Sequence, residues 1–311
     1  MGKRDKPDVQ IFSRQLMDEL VSLHQELASH SYRHGGYYSF KICDPKPRQI
    51  HKASVRDRLV HHAIYRALYP FFDRTFIFDS FACRNGKGTH RAWQRFTTLA
   101  WRVSQYNTRT CWILKCDIKK FFASIDQEVL LTMLCEYITD QDIMWLLSEV
   151  IGSFHSSRSG IGLPLGNLTS QLFANIYLNA LDQFVKHRLK VQQYVRYADD
   201  FVLLSSGREW LADRLLLLER FLHERLRLAI HPKKIVFKTF ASGVDFLGWV
   251  HFSDHRVLRT ATKRRMMRRI RESSTPETVQ SYLGLLKCGN AFGVKREVLQ
   301  KFWLSQSATT F

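Results

Sequence analysis

Acidic residues are scarce in this 311-residue chain: 28 Asp and Glu stand against 47 Lys and Arg, a formal charge of +19. A field of that sign is unfavourable for a small cationic partner and favours polyanions, nucleic acid first and an anionic membrane surface second. Long apolar runs are also missing. No uninterrupted stretch is long enough to span a bilayer, and the basic, polar N-terminus carries no secretory signal, so a soluble, cytoplasmic protein without membrane contact is expected. The six cysteines (Cys43, Cys83, Cys111, Cys116, Cys135 and Cys288) form no C-x-x-C and no zinc-like Cys/His spacing. They read as buried free thiols in a reducing compartment. Internal repeats and low-complexity tracts are absent, while 45% hydrophobic and 13% aromatic residues are enough for a sizeable core in about two domains. Among the thirteen histidines, His61 and His62 are expected on a nucleic-acid-facing surface.

Periodicity then locates the elements. Phe12, Leu16, Leu20, Leu23 and Leu27 recur at helical spacing, which predicts one amphipathic helix over about 10–29. Strands are expected at Tyr37 to Ile42 and Arg48 to His51, around the turn Asp44-Pro45-Lys46-Pro47. Three capping boxes are read at Ser54-x-x-Asp57, Ser124-x-x-Gln127 and Thr139-x-x-Asp142. The first opens a helix through roughly Leu68, and the others open two helices covering about 126–150. The Gly-rich run from Phe81 to His90 has no P-loop spacing, so an ordinary surface loop is the default reading over a phosphate-approaching one built on Lys87. A helix over about 89–105 follows, then a strand from Cys111 to Cys116 that ends at Asp117. Further helices are expected at about 169–190 and from Trp210 to Leu226, with strands at Lys234 to Phe240 and Val244 to His251. From Arg256 to Arg271 eight of sixteen residues are Lys or Arg, with Met266, Met267 and Ile270 as an anchoring side, a pattern suited to a phosphate backbone. A last helix opens at Thr275-Pro276 and closes near Gly289.

Between the apolar runs at Val195 and at Phe201 to Leu204 lie Asp199 and Asp200, on what reads as the tip of a hairpin. A solvated turn is the common meaning of such a pair. Neighbouring carboxylates otherwise raise each other's pKa until a cation neutralises them. If the strand ending at Asp117 lies beside this hairpin, three carboxylates distant in sequence converge. Phosphoryl transfer to a 3′-hydroxyl uses such a cluster, because two divalent ions about 3.5–4 Å apart stabilise the attacking and leaving oxygens.

Six segments, in order, make the chain resemble a reverse transcriptase from about Lys46 onward. They are Lys46-Pro47-Arg48 with Val55-Arg56-Asp57-Arg58, then Lys115 to Phe122, Leu165 to Gln171, Tyr197-Ala198-Asp199-Asp200, His231-Pro232-Lys233-Lys234 and Phe246-Leu247-Gly248-Trp249. The resemblance implies an α+β right-hand polymerase with an antiparallel palm sheet packed by helices: fingers at 1–110, catalytic palm at 111–255 and a short basic thumb at 256–311. It implies Asp117 and Asp199 as main metal ligands and Asp200 as a secondary one, with two Mg²⁺ ions for which Mn²⁺ substitutes. Arg48, with Lys46, would grip the dNTP triphosphate, a task that suits a guanidinium fork. Lys233 or Lys234, with Lys234 preferred, would act as general acid toward pyrophosphate; a solvated turn is the competing reading of either lysine. Phe122 would lie beneath the sugar and exclude a ribose 2′-hydroxyl, while Leu165, Gly166 and Gln171 would border the templating base. Phe246 to Trp249 would support the primer end or simply fill core.

Most reverse transcriptases carry Gln-Gly followed by Ser-Pro where this chain has Leu165-Gly166 followed by Ser170-Gln171. That variant resembles the diversity-generating retroelement branch, which implies an error-prone enzyme of mutagenic retrohoming, a template RNA with a DNA or RNA primer, and a small basic accessory helical-bundle protein. The alternatives are another prokaryotic reverse transcriptase, of antiphage defence or group II intron kind, and a nucleic-acid-binding protein of this fold without catalysis. About fifty residues follow the polymerase pattern, room for a thumb but not for an RNase H, endonuclease or maturase domain.

Overall fold

The computed structural model describes residues 5–44, 46–272 and 275–307. In chain order the elements are α1 (Pro7–Arg14), α2 (Leu16–Ala28), β1 (Tyr38–Ile42), β2 (Arg48–Lys52), α3 (Val55–Thr75), α4 (Thr89–Val103), β3 (Trp112–Asp117), α5 (Phe121–Ser124), α6 (Gln127–Cys135), α7 (Gln141–Gly152) and α8 (Leu168–Gln183). After a π-helical turn at Phe184–Arg188 come β4 (Tyr194–Tyr197), β5 (Asp200–Ser205), α9 (Arg208–Leu226), β6 (Val236–Thr239), β7 (Val244–Phe246), β8 (Trp249–His251), β9 (Arg256–Leu258), α10 (Thr260–Glu272), α11 (Pro276–Leu286) and α12 (Phe292–Ser307). Strands β4, β5, β3 and β6 lie in that order in a four-stranded sheet, β7, β8 and β9 form a three-stranded one, and β1 pairs with β2. The β1–β2, β3–β6, β7–β8 and β8–β9 pairings are antiparallel.

The chain divides into two interleaved compact units, the first made of Met1–Gly88, Cys116–Phe201 and Asp213–Ile235, the second of Thr89–Lys115, Val202–Ala212 and Val236–Phe311. Helix α8 is the axis of the first. Leu172, Phe173, Ala174, Ile176, Tyr177, Leu178 and Leu181 are all buried, so apolar residues surround it as expected of a helix covered on every side. It packs against α3. Helix α3 opens on the capping box: the Ser54 hydroxyl accepts from the Asp57 amide at 3.0 Å and donates to the Asp57 carboxylate at 2.6 Å. It runs past Pro70 instead of ending near Leu68. Proline removes one main-chain bond there, and burial of Tyr69 and Phe72 on the same helix offsets that loss. The second unit is centred on Phe96, whose ring meets Phe240, Phe246 and His251 within 6.0 Å. In α10, Met266, Met267 and Ile270 are buried as the anchoring side of the basic segment.

Several expectations from sequence are corrected. The single N-terminal helix is two, broken at Gln15, and of its apolar stripe only Leu23 is buried. The two later caps belong to other residues: Asp126 accepts from the Val129 amide and Asp140 from the Ile143 amide, each a better acceptor, set closer to its helix, than Ser124 or Thr139. Val244 to His251 is a tight hairpin, because Leu247 (φ 52°) and Gly248 (φ 88°) turn the chain between β7 and β8. A further helix, α12, follows the one that ends near Gly289. Only Cys111 and Cys116 of the six free thiols are buried. His61 is buried too, its Nδ1 2.5 Å from the Thr169 hydroxyl and its Nε2 3.1 Å from His34 Nε2. In the Gly-rich loop the Lys87 ammonium donates to the Phe78 carbonyl and lies 3.7 Å from the centre of the Phe78 ring. Pro45, in the turn expected between β1 and β2, lies outside the described residues.

Candidate active site

Every residue of the site belongs to the first compact unit. Strand β3 ends at Asp117, and three main-chain contacts fix what lies beside it. The Ile118 amide donates to the Asp199 carbonyl at 3.2 Å, the Lys119 amide to the Ala229 carbonyl at 2.9 Å, and the His231 amide to the Asp117 carbonyl at 2.8 Å. The chain after β3 therefore lies between the Asp199 turn and the segment leading to Pro232–Lys234. That segment is a 3₁₀ turn whose start is closed by the His231 ring, which accepts from the Lys233 amide. The turn carries the Lys234 ammonium to 2.5 Å from the Asp117 carboxylate, while Lys234 remains 41% exposed.

Asp199 sits in the turn between β4 and β5, and Asp200 is the first residue of β5. The chain reverses at Ala198, which adopts φ 54°, a left-handed conformation that costs an L-residue roughly 1–2 kcal/mol. Burial and the nearby Asp117 carboxylate push the Asp199 carboxyl above the ordinary carboxylate range; its own amide, Lys234 and Arg48 oppose that shift. Two carboxylates thus lie within each other's field in a partly buried setting where positive charge is favoured. That donor set suits a hard divalent cation. Among the described residues, no three Asp, Glu, His or Cys side chains gather into a ready-made cage. The structure brings together Asp117, Asp199, Lys234 and the field of Arg48.

Arg48 opens β2 and is exposed; Lys46 lies on an exposed bend two residues earlier. Beyond Asp117 the chain turns sharply at Lys120 (φ 47°), which starts the short helix α5. Phe121 is buried and Phe122 half-buried, their rings 5.4 Å apart, and the Phe122 carbonyl accepts from the Leu163 amide at 2.8 Å. Phe122 is thereby tied to the Leu163 to Gln171 segment. There the Leu165 carbonyl accepts from the His51 amide at 2.9 Å, and Gly166 (φ 117°) lies so close to β2 that a Cβ on it would stand 2.7 Å from Ile50 Cγ2. Gln171 is exposed on the first turn of α8.

Two functional supports escaped the reading from sequence. Asn167, buried at 4% exposure, stitches α8 to β2: its amide donates to the His51 carbonyl at 2.8 Å and its oxygen accepts from the Ala53 amide at 3.4 Å. Its place directly after Gly166 was the available signal. The second is Arg196, fully buried beneath the Asp199 turn. An arginine within an otherwise apolar strand was the signal there.

Known proteins resemble this chain in sequence and in fold. Residues 43–251 match the family described as reverse transcriptase (RNA-dependent DNA polymerase). The chain is 25% identical over 261 residues to Protein YkfC of Escherichia coli K12, covering 72% of this chain and 66% of that one. It is 23% identical over 300 residues to the group II intron-encoded protein LtrA of Lactococcus lactis subsp. cremoris, covering 73% of this chain and 47% of LtrA. The chain thus spans less than two thirds of either relative. Apo telomerase from Candida tropicalis shares the fold at a TM-score of 0.55 and 12% identity, over 87% of this chain and 57% of that one. Telomerase from Candida albicans in complex with a telomeric RNA fragment does so at 0.51 and 14%, over 78% and 46%. The fold is that of a right-hand polymerase, and with two thirds of its length matched by the family, the chain belongs to the reverse transcriptases.

Proposed function

We propose that this chain is an RNA-directed DNA polymerase that extends a DNA or RNA primer with dNTPs on an RNA template, in the cytoplasm, as the error-prone enzyme of a diversity-generating retroelement. The observation that carries the polymerase reading is the meeting of Asp117, Asp199, Lys234 and the charge of Arg48 at the ends of two sheet strands. Fingers at 1–110, palm at 111–255 and thumb at 256–311 are the corresponding division.

Asp117 and Asp199, with Asp200 beside them, would hold the divalent ions, Mg²⁺ or Mn²⁺, which supply charge neutralisation at the attacking and leaving oxygens. The remaining work falls to the chain. The Arg48 guanidinium, with Lys46 on the preceding bend, receives the triphosphate as a bidentate donor. Lys234 Nζ, paired with Asp117 before substrate arrives, turns to the leaving pyrophosphate and gives it a proton. The half-buried Phe122 ring closes the space under the sugar. Leu165, Gly166 and Gln171 border the templating base, where an apolar side chain in place of an amide removes one hydrogen bond and loosens pairing discrimination.

Leu165 and Gln171 favour the retroelement reading, which brings a small basic accessory protein as partner. The likeness to LtrA favours a group II intron-related enzyme as the second reading. Asp199→Asn should abolish dNTP incorporation on a primed RNA while leaving RNA binding intact; continued synthesis by that variant excludes the assignment. Sequencing the cDNA separates the branches: errors concentrated at template adenines support the retroelement, and a uniformly low error rate supports the intron-related enzyme.

A further inference from the structure

Arg196 and Asp182 are each 0% exposed, and they meet as a bidentate pair: Arg196 Nε donates to Asp182 Oδ1 at 2.8 Å and Nη2 to Oδ2 at 2.6 Å. A buried ion pair seldom adds stability over apolar residues of the same volume, so its presence calls for another reason. Asp182 lies in the last turn of α8, where the helix dipole disfavours a carboxylate. The Tyr194 hydroxyl also donates to it, at 2.8 Å. The reason lies on the other edge of the guanidinium. Arg196 Nη1 donates to the Asn175 side-chain oxygen and to the Ala198 carbonyl, each at 3.2 Å.

The Ala198 carbonyl shares its peptide plane with the Asp199 amide, the group that works against burial by lowering the Asp199 carboxyl pKa. Holding one side of a planar unit fixes the other. The Asp199 carbonyl is held in turn by the Ile118 amide. Arg196 is itself immobilised, its amide donating to the Asp79 carbonyl at 2.9 Å and its carbonyl accepting from the Phe81 amide at 3.0 Å. Asn175 is anchored by donating to the Ala82 carbonyl. A chain of fixed groups therefore runs from α8 and the 79–82 segment to the one left-handed residue that aims Asp199.

We propose that the buried Arg196–Asp182 pair is the positioning device of the catalytic turn, holding the Ala198–Asp199 peptide in its left-handed setting so that the Asp199 carboxylate faces Asp117 for divalent-ion binding. The inference rests on the polymerase reading of Asp199 and adds to it residues that touch neither substrate nor ion. Arg196→Lys separates pairing from positioning, because an ammonium reaches Asp182 but lacks the fork that also holds Asn175 and Ala198. Asp182→Asn weakens the pair and leaves the fork.

The test uses the full chain at a temperature where circular dichroism shows it folded. Mn²⁺ binding, read by electron paramagnetic resonance without nucleotide, should weaken about 10–100-fold in both variants, as for other groups that orient ligands. Amide exchange over 198–201 should accelerate in both, and single-nucleotide incorporation should lose kcat with KM for dNTP unchanged. Wild-type Mn²⁺ affinity in a folded Arg196→Lys overturns the proposal. Should both variants fail to fold, wild-type exchange decides: protection at 198–200 equal to that of the Arg196 amide supports the clamp, and fast exchange there overturns it. A wild-type chain that incorporates no dNTP, while Arg196→Lys still weakens Mn²⁺ binding, defeats the polymerase reading and leaves the clamp standing.

Discussion

Gly166→Ala tests how tightly the base-pocket loop is fastened to β2. The residue sits at φ 117°, and a Cβ there would stand 2.7 Å from Ile50 Cγ2, about 1 Å inside ordinary contact. The backbone setting alone costs a non-glycine residue roughly 1–3 kcal/mol. The clash adds roughly 1–3 kcal/mol, because Ile50 is β-branched, stiff at χ1, and held in a strand whose next amide is bonded to the Leu165 carbonyl. A total of about 2–6 kcal/mol is a large share of the ~5–15 kcal/mol that holds a protein folded. Ile50→Ala deletes the clashing methyl but not the dihedral strain. In a double-mutant cycle by urea unfolding, the pair should therefore recover only the steric half, a coupling of about 1–3 kcal/mol. Exchange of the His51 amide should accelerate in Gly166→Ala and partly recover in the double variant. A Gly166→Ala protein within about 0.5 kcal/mol of wild type, or zero coupling to Ile50, would refute both the close approach and its cost.

Three more outcomes follow from the same geometry. Burial and Asp117 hold the Asp199 pKa above its ordinary 3.8, so the charged form weakens the folded state: the stability present at low pH is lost as pH rises through the folded value. At pH 7 in EDTA, Asp199→Asn should melt higher than wild type, with the gap narrowing on adding Mg²⁺; a lower melting point in EDTA contradicts the repulsion. His61 works with the opposite sign, since burial, then His34, depresses it from 6.5 to about 4, so its contribution is whole above 6.5 and lost as pH falls toward 4. Wild type should lose about 3 kcal/mol more than His61→Gln between those limits, measured by urea unfolding at stepped pH, and parallel profiles would show that His61 is not held neutral. Phe122→Ala should relieve a sugar clash of about 1–3 kcal/mol, raising the rNTP-to-dNTP ratio of kcat/KM by roughly 5–150-fold; an unchanged ratio removes Phe122 from the sugar gate.

The sequence by itself determined the local pieces: the strand that stops at Asp117, the acidic tip at Asp199-Asp200, the capping box at Ser54 and the apolar anchoring side of the basic segment that contains α10. Each rests on short-range physics, namely period, side-chain capping and turn chemistry, which neighbouring residues decide among themselves. It determined less where two local solutions compete, so the caps of α6 and α7 fell to Asp126 and Asp140, and Val244 to His251 folded as a hairpin. Only the tertiary structure decided what faces the catalytic pair. Lys234 and Asp117 are 117 positions apart, and nothing in either segment specifies the 2.5 Å contact that the pairing of Ile118 with Ile230 creates. The same holds for Asn167 bridging to β2, for His61 turning inward to Thr169, and for Arg196 reaching both Asp182 and the Ala198 carbonyl. A polar side chain in an apolar run announces only that it needs a partner, and which partner it finds depends on packing between segments far apart in the chain.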